Sequence, residues 1–204
     1  MDMGLDRLSN AISDMGTLAQ ESVLKAIQAY ARGQRITKEA LDRAHQLSTL
    51  ANEVEELAVE LLARYQPVAT DLRFIKSCLE ISYGFSRFGR YAFDIAQVLE
   101  IYGDLSQCDK SIVEELSNRV TQMIQTSIQS FKARDMKLAR SLRHDDDQVD
   151  RTYIDFMKQI SQGKQMPLKC ALASTLVLRY LERIADHACY VGDSVIYIVT
   201  GSKI

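Results

Sequence analysis

Four carboxylates in the last third of the chain form two pairs, and the acids of each pair are four residues apart. Asp146 and Asp150 are the first pair, and Glu182 and Asp186 are the second. On a helix, residues at this spacing lie on one face, one turn apart. Carboxylate oxygens suit hard cations such as magnesium, manganese or ferric iron better than zinc or copper. On two neighbouring helices, the four side chains would therefore form a cation site.

Three further residues could extend such a site. Asp193 follows Asp186 by about two helical turns and falls on the same face. His144 and His187 lie next to the two pairs in the sequence and could contribute imidazole ligands. These three residues are candidates for an extended site rather than parts of the central set.

A competing interpretation is that the acids are simply solvated. Acids on the outer face of a long helix commonly form surface ion pairs, and Arg151, Arg179 and Arg183 lie within a few residues of the two pairs. Each ion pair of this kind contributes only about 0.3–0.5 kcal/mol. Spacing alone favours this second interpretation over a metal site.

The acids of the second pair belong to a long predicted helix. Apolar residues recur there at steps of three and four from Val177 to Ile198, which is the period of one buried stripe on a helix. Glu182 and Asp186 fall opposite this stripe, so we expect both to face outward. Asp186→Asn should then leave the fold nearly unchanged.

Similar stripes predict an all-α fold with six long helices. The chain contains only two prolines and nine glycines, which favours long helices over short strands. Gly33, Gly103 and Gly163 are predicted to end helices. The expected starts of helices 2 to 6 are Thr37 as a cap, Pro67 in a first turn, a capping box of Ser111 and Glu114, Asp135 as a cap, and Pro167.

The two halves of the chain form an internal repeat. Advancing each residue number by 96 places one apolar stripe on the other, and every position keeps its apolar character. The first stripe is Ile81, Phe85, Phe88, Ala92, Ile95 and Leu99, and the second is Val177, Leu181, Ile184, Ala188, Val191 and Val195. This repeat predicts two tandem antiparallel three-helix bundles, residues 1–103 and 111–204, joined by a linker at 104–110. With helices of about 40–45 Å, the molecule should be elongated.

The first repeat keeps the apolar stripe but loses the acids. Ser86 and Arg90 occupy the places of the second acid pair, and Ala44 and Ser48 occupy those of the first pair. An arginine would repel a cation, so we expect the first repeat to bind no metal.

Arg87 and Arg90 give the corresponding face of the first repeat a positive character. They could pair with Asp94 and other local acids, which is the more ordinary role for exposed arginines. Alternatively, they could contact a phosphate group or an acidic partner protein. The residues themselves favour the first of these interpretations.

Composition excludes several classes of protein. The net charge of −2 gives no basic field for nucleic acid, and no apolar run is long enough to span a membrane. The N-terminus lacks a signal peptide, so a cytosolic location is expected. The four cysteines, which are far apart, are expected to be small buried residues kept reduced there. They are Cys78, Cys108, Cys170 and Cys189.

No pattern in the chain indicates catalysis. There is no glycine-rich phosphate loop and no spacing that suggests a nucleophile with its base. A ferritin-like di-iron site needs Glu-x-x-His on two helices, and none of the three histidines has a glutamate three residues before it. We therefore expect a protein that is not an enzyme.

Two segments, 61–75 (LLARYQPVATDLRFI) and 181–188 (LERIADHA), resemble the PhoU family of phosphate-uptake regulators. The tandem repeat extends this resemblance over about residues 5–200. The resemblance implies iron or another cation, such as manganese or magnesium, held by acids four residues apart. Residue by residue, it favours Asp146, Asp150, Glu182 and Asp186.

The same resemblance implies a role and partners. PhoU proteins are understood as cytoplasmic negative regulators that link the ATP-binding subunit of a phosphate transporter to a sensor histidine kinase. Such a protein would be peripheral to the membrane at most, and its outer helix faces are compatible with a homodimer. The alternatives are a metal-free helical adaptor of another ion transporter and, more distantly, a carboxylate-bridged metalloenzyme.

Overall fold

The computed structural model describes residues 1–163 and 165–202, which form six helices with no strand among them. This confirms the predicted all-α fold. The helices are α1 (Asp2–Arg32), α2 (Thr37–Tyr65), α3 (Ala69–Tyr102), α4 (Ser111–Ala133), α5 (Met136–Ser161) and α6 (Leu168–Thr200).

Several predicted helix ends are confirmed. Gly33 follows α1 in the left-handed region (φ 69°, ψ 26°), and Gly103 ends α3 at φ 66°. Both angles favour glycine, which has no Cβ to clash. The Asp135 side chain caps α5 by accepting the backbone N–H groups of Lys137 and Leu138.

Two predicted caps and one predicted proline position are wrong. The Thr37 hydroxyl lies inside the helix and donates to Glu100 instead of capping α2. Ser111 does not cap α4; its own N–H donates to the Asp109 side chain. Pro67 lies in the connection before α3, because Gln66 has a positive φ and ends α2 there.

The central helices are α3 and α6, which run antiparallel. Lys76 near the start of α3 contacts Tyr197 near the end of α6, and Tyr91 stacks on Tyr180. Helix α3 also packs against α1 and α2, while α6 packs against α4 and α5. Two three-helix groups therefore lie side by side.

One hydrophobic core runs through both groups. Its buried residues include Phe85 and Phe88 of α3 together with Leu181 and Ile184 of α6. The linker at 104–110 separates α3 from α4 in sequence, as expected. The division of the chain into two domains at this linker stays a prediction, since the core is shared.

The linker is tied to the helices around it. Lys110 donates to the Tyr30 and Ala31 carbonyl oxygens at the end of α1. A disulfide joins Cys108 of the linker to Cys170 of α6. The expectation of four reduced cysteines is wrong for this pair, because chain folding brings together two residues that are 62 apart in sequence. Cys78 and Cys189 are free and buried.

Over the described ranges, no helix is both long enough and apolar enough to cross a membrane.

Candidate carboxylate site between α5 and α6

The four acids of the two predicted pairs come into electrostatic range of one another where α5 packs against α6. Burial raises the pKa of Asp146 to about 6, and the neighbouring charges of Asp186, Asp150 and Glu182 raise it in the same direction. The prediction that two neighbouring helices gather these side chains is therefore supported. Spacing alone could not show that the helices are adjacent.

The outward orientation expected for the second pair is wrong for Glu182, which is only 9% exposed. Asp186 is half-buried. Helix α6 is a central helix with neighbours on several sides, so the face opposite its main apolar stripe is covered as well. Burial raises the pKa of Glu182, and the nearby charge of Asp186 adds to this effect.

Two of the predicted ion pairs are present. Arg179 Nη1 lies 2.6 Å from Glu182 Oε1, and Arg183 Nη1 lies 3.7 Å from Asp186 Oδ2. Arg183 also approaches Glu182 Oε2, at 3.9 Å. Burial raises the pKa of Asp186, whereas the positive charges of Arg183 and Arg179 oppose that change. The arginines thus offset part of the repulsion among the acids.

Two carboxylate oxygens remain unsatisfied. Asp146 Oδ1 on α5 and Glu182 Oε2 on α6 are buried without a hydrogen-bond partner. A buried acceptor without a donor typically costs about 1–3 kcal/mol. The Cys189 thiol donates to the Asp146 carboxylate, and burial together with that carboxylate raises the pKa of the thiol. The carboxylates therefore repel one another, and a bound cation would reduce that repulsion.

The donors fit a hard cation by type, and the two unsatisfied oxygens could accept one. However, across residues 1–163 and 165–202 no three Asp, Glu, His or Cys side chains are close enough to enclose a metal ion. Glu182 is already engaged by Arg179. The acids are thus gathered but do not form a closed ligand set, and the metal site stays a prediction.

The candidates for an extended site lie elsewhere. Both Asp193 oxygens accept hydrogen bonds from Arg143 Nη2, at 3.0 and 2.8 Å. His144 is exposed. His187 packs among tyrosines on the α3 side, and burial together with two nearby arginines lowers its pKa to about 4.

In the first repeat, Arg90 pairs with Asp94 at 3.4 Å, as the ordinary interpretation predicts. Arg87 behaves differently: it donates to the Tyr91 hydroxyl and lies over that ring, 4.8 Å from its centroid. The prediction that Arg87 or Arg90 contacts an anion or an acidic partner is not tested by these contacts.

The burial pattern suggests a second alignment of the repeats. Buried, half-buried and exposed positions follow the same order in 81–92 and 181–192, an offset of 100. At this offset, Ser82 and Ser86 occupy the places of the acids in α6. Under either alignment, α3 has no carboxylate pair at the corresponding positions.

Sequence reasoning missed a groove of about 500 Å³ along the contact of α3 and α6, which we call the tyrosine groove. Its lining includes Glu80, Tyr83, His187, Tyr190, Asp193 and Tyr197. The spacing of Tyr190 and Tyr197, seven residues apart on one helical face, was a usable signal.

The chain is similar to known proteins over most of its length. The profile described as PhoU domain matches residues 12–99 and 113–195, one stretch in each repeat. "Phosphate-specific transport system accessory protein PhoU homolog 1" of Methanothermobacter thermautotrophicus is 31% identical over 156 residues, covering 74% of this chain and 71% of that protein. The Pseudomonas aeruginosa "Phosphate-specific transport system accessory protein PhoU homolog" is 27% identical and covers 98% of this chain and 85% of its own length.

Two solved structures share the fold. The crystal structure of PhoU from Pseudomonas aeruginosa superposes with a TM-score of 0.89 at 27% identity, covering 98% of this chain and 99% of that one. The phosphate transport system regulatory protein PhoU from Streptococcus pneumoniae also gives 0.89, at 21% identity, covering 100% of this chain and 98% of that one. The second likeness concerns the fold alone.

Proposed function

We propose that this chain, which belongs to the PhoU family, regulates phosphate uptake through contacts with other proteins and is not an enzyme. The observation that carries the proposal is its 31% identity to a protein named as a phosphate-specific transport accessory protein. The matches in both repeats support the same conclusion.

The proposed partners are the ATP-binding subunit of a phosphate transporter and a sensor histidine kinase. Because an ATP-binding subunit works at the cytoplasmic side of the membrane, we place this chain in the cytoplasm, peripheral to the membrane at most. In that reducing compartment we expect the Cys108–Cys170 disulfide to be open in at least part of the population.

A genetic and a biochemical experiment together test this role. Deleting the gene in its host should raise expression of a phosphate-starvation reporter in phosphate-rich medium, and the intact gene should restore repression. The purified protein should also retain the transporter's ATP-binding subunit from solution. A reporter unchanged by deletion, or no retention of the subunit, would contradict the proposal.

We further propose that a hard cation, iron, manganese or magnesium, binds at Asp146, Asp150, Glu182 and Asp186. The two unsatisfied buried oxygens and the raised pKa of Asp146 support this site. When bound, the cation would neutralise the gathered carboxylates and join α5 to α6. Glu182 would exchange its bond to Arg179 for the ion.

Elemental analysis of the purified, untagged protein tests the cation site. We expect metal in the unaltered protein and its loss in Glu182→Gln/Asp186→Asn. Glu56→Gln/Glu60→Gln is a matched control, since these α2 acids are also four residues apart but exposed. Metal in both variants, or in none of the proteins after incubation with each cation, would overturn the site.

An alternative role is a metal-free helical adaptor of another ion transporter. The observation that favours it is the lack of an enclosing ligand set in the part of the chain that the structure describes. An adaptor of this kind should keep its melting temperature when chelators are added. It should also bind its partner equally well with or without the acids of α5 and α6.

A further inference from the structure

The tyrosine groove lies along α3 and α6, outside the contact of α5 and α6 that gathers the carboxylates. At one end of it, the side chains of Tyr83 and Tyr190 are 61% and 59% exposed. Both rings pack against His187, with centroids 6.1 and 5.5 Å from the imidazole. Large aromatic side chains exposed together in a groove are typical of binding surfaces.

At the other end, the groove already holds an ammonium group of this chain. Lys76 Nζ lies 5.4 Å from the centroid of the Tyr197 ring and also forms an ion pair with Glu80. A cation over the face of a tyrosine is attracted by the electron density of the ring. One ring and one carboxylate therefore act together on an ammonium at this end.

The Tyr83 end repeats this combination of groups. Tyr83 lies seven residues after Lys76 on α3, and Tyr190 lies seven before Tyr197 on α6, which is about 10 Å along each helix. A carboxylate is one turn away on both helices: Glu80 precedes Tyr83 by three residues, and Asp193 follows Tyr190 by three.

Within the described ranges, no lysine or arginine lies over the ring of Tyr83 or Tyr190. The two acids have partners in the chain, because Lys76 pairs with Glu80 and Arg143 pairs with Asp193. These lysine and arginine side chains are about half exposed, so an incoming cation could share the carboxylates with them. Glu80 and Asp193 are the charged side chains of the groove lining, whereas Arg87 and Arg183 act on His187 from outside that lining.

We propose that the Tyr83–Tyr190 end of the groove binds an organic ammonium group, either a quaternary ammonium or the side chain of a lysine. The two rings contact the cation, while Glu80 and Asp193 supply the opposite charge. Exposed contacts of this type are weak individually, and the groove combines several of them.

A titration with choline followed by NMR tests the ammonium chemistry. Its neutral isostere, 3,3-dimethylbutan-1-ol, has nearly the same shape without the charge and is the matched control ligand. We expect choline to bind about fivefold or more tightly than the alcohol. Equal affinities for the two, or no detectable binding of choline or of a lysine peptide, would overturn the proposal.

Variants locate the binding to the rings. Tyr83→Leu/Tyr190→Leu should weaken choline binding about tenfold, whereas Tyr83→Phe/Tyr190→Phe should keep most of it, because phenylalanine retains the ring face. Tyr65→Leu is the control for an exposed tyrosine on α2, far from the groove in sequence, and should bind as the unaltered protein does. Circular dichroism checks that each variant is folded. Unchanged binding in the double leucine variant would contradict the assignment.

A second arm of the experiment distinguishes the source of the ammonium. A blocked tripeptide with a central lysine is compared with the same peptide carrying norleucine. Tighter binding of the lysine peptide than of choline would identify a lysine of a partner protein as the ligand. The reverse order would identify a free small-molecule ammonium.

Discussion

The contact of α2 with α3 in the first repeat and the contact of α5 with α6 in the second differ in what lies between the helices. In the first, Gly89 allows close approach of Ala44 and Leu47. In the second, the Cys189 thiol meets Asp146, and three more acids lie nearby. Both contacts therefore contain a glycine and apolar side chains, and the second also gathers four carboxylates.

This difference shows that the fold does not need the acids. Gathered carboxylates with raised pKa values and unsatisfied oxygens lower the stability of the second repeat, whereas apolar contacts stabilise the first. Stabilising the structure therefore does not explain why the acids lie together. Residues that reduce stability in this way are typical of functional sites.

The largest expected effect tests whether the two repeats share one core. Ile184→Asp in α6 and Phe88→Asp in α3 each bury an uncompensated charge. Each should lower the free energy of unfolding by more than about 4 kcal/mol. Because the core is continuous, either change should abolish the whole cooperative thermal transition measured by circular dichroism. Leu172→Asp on the exposed face of α6 is the control and should melt nearly normally. A surviving transition of about half the amplitude would show that the repeats fold independently.

The next largest effect concerns the disulfide, which joins the linker to α6 of the second repeat. Closing a loop of 62 residues stabilises a protein by at most about 4 kcal/mol in the chain-entropy account. Cys170→Ser should therefore lower the melting temperature under non-reducing conditions, and a reductant should produce the same decrease in the unaltered protein. If a reductant lowers the melting temperature of Cys170→Ser as well, the effect does not arise from this disulfide.

A third comparison concerns one glycine in each repeat. An alanine Cβ at Gly192 would lie 2.9 Å from the backbone oxygen of Ala139, whereas at Gly89 the nearest atom is the flexible end of Leu47. Backbone atoms move aside less readily than the end of a side chain. Gly192→Ala should therefore lower the free energy of unfolding by about 2 kcal/mol, and Gly89→Ala should lower it by about 1 kcal/mol or less. Chemical denaturation measures both values. The reverse order would mean that α5 and α6 are packed less tightly than α2 and α3.

The smallest expected effect is the pH dependence of the carboxylate site. The folded pKa of Asp146, about 6, lies above its usual value of 3.8, so the folded state holds this proton more tightly than the unfolded state. Its contribution favours folding at low pH and is lost as the pH rises through about 6. Asp146→Asn should stabilise the metal-free protein by about 1 kcal/mol at pH 7, after allowance for solvent screening.

The measurement is the difference in melting temperature between Asp146→Asn and the unaltered protein from pH 7.5 to 5, with chelator present. We expect the difference to shrink as the pH falls. Ser48→Asn, at the place in the first repeat that corresponds to Asp150, is an exposed control on α2 and should show no such trend. The pKa of His187 is lowered to about 4, so this residue makes the folded protein less stable as the pH falls. This contribution is common to all three proteins. A constant difference across the range would contradict the raised pKa.

The helices and their apolar faces were predictable because both depend on local periodicity. The glycines that end α1 and α3 and the aspartate cap of α5 were predicted correctly, since each acts within a few residues. The caps predicted at Thr37 and Ser111 are wrong because their hydrogen bonds go elsewhere: the Thr37 hydroxyl donates to Glu100, and the Ser111 N–H donates to Asp109.

The candidate site was predictable only in part. Spacing correctly paired Arg179 with Glu182, because residues three apart meet on any helix. The burial of Glu182 and the position of His187 among tyrosines depend on which helices surround α6, and a stripe on one helix does not show this.

The sequence by itself determined six helices, a tandem repeat, and two acid pairs in the second repeat that the first repeat lacks at the corresponding places. Only the tertiary structure decided that α3 and α6 share one core, that Cys108 meets Cys170, and that Tyr83 and Tyr190 face the same groove. The physical reason is that helix formation and amphipathic faces arise from interactions within a few residues. Contacts between helices join residues tens of positions apart, and they follow from how the whole chain packs.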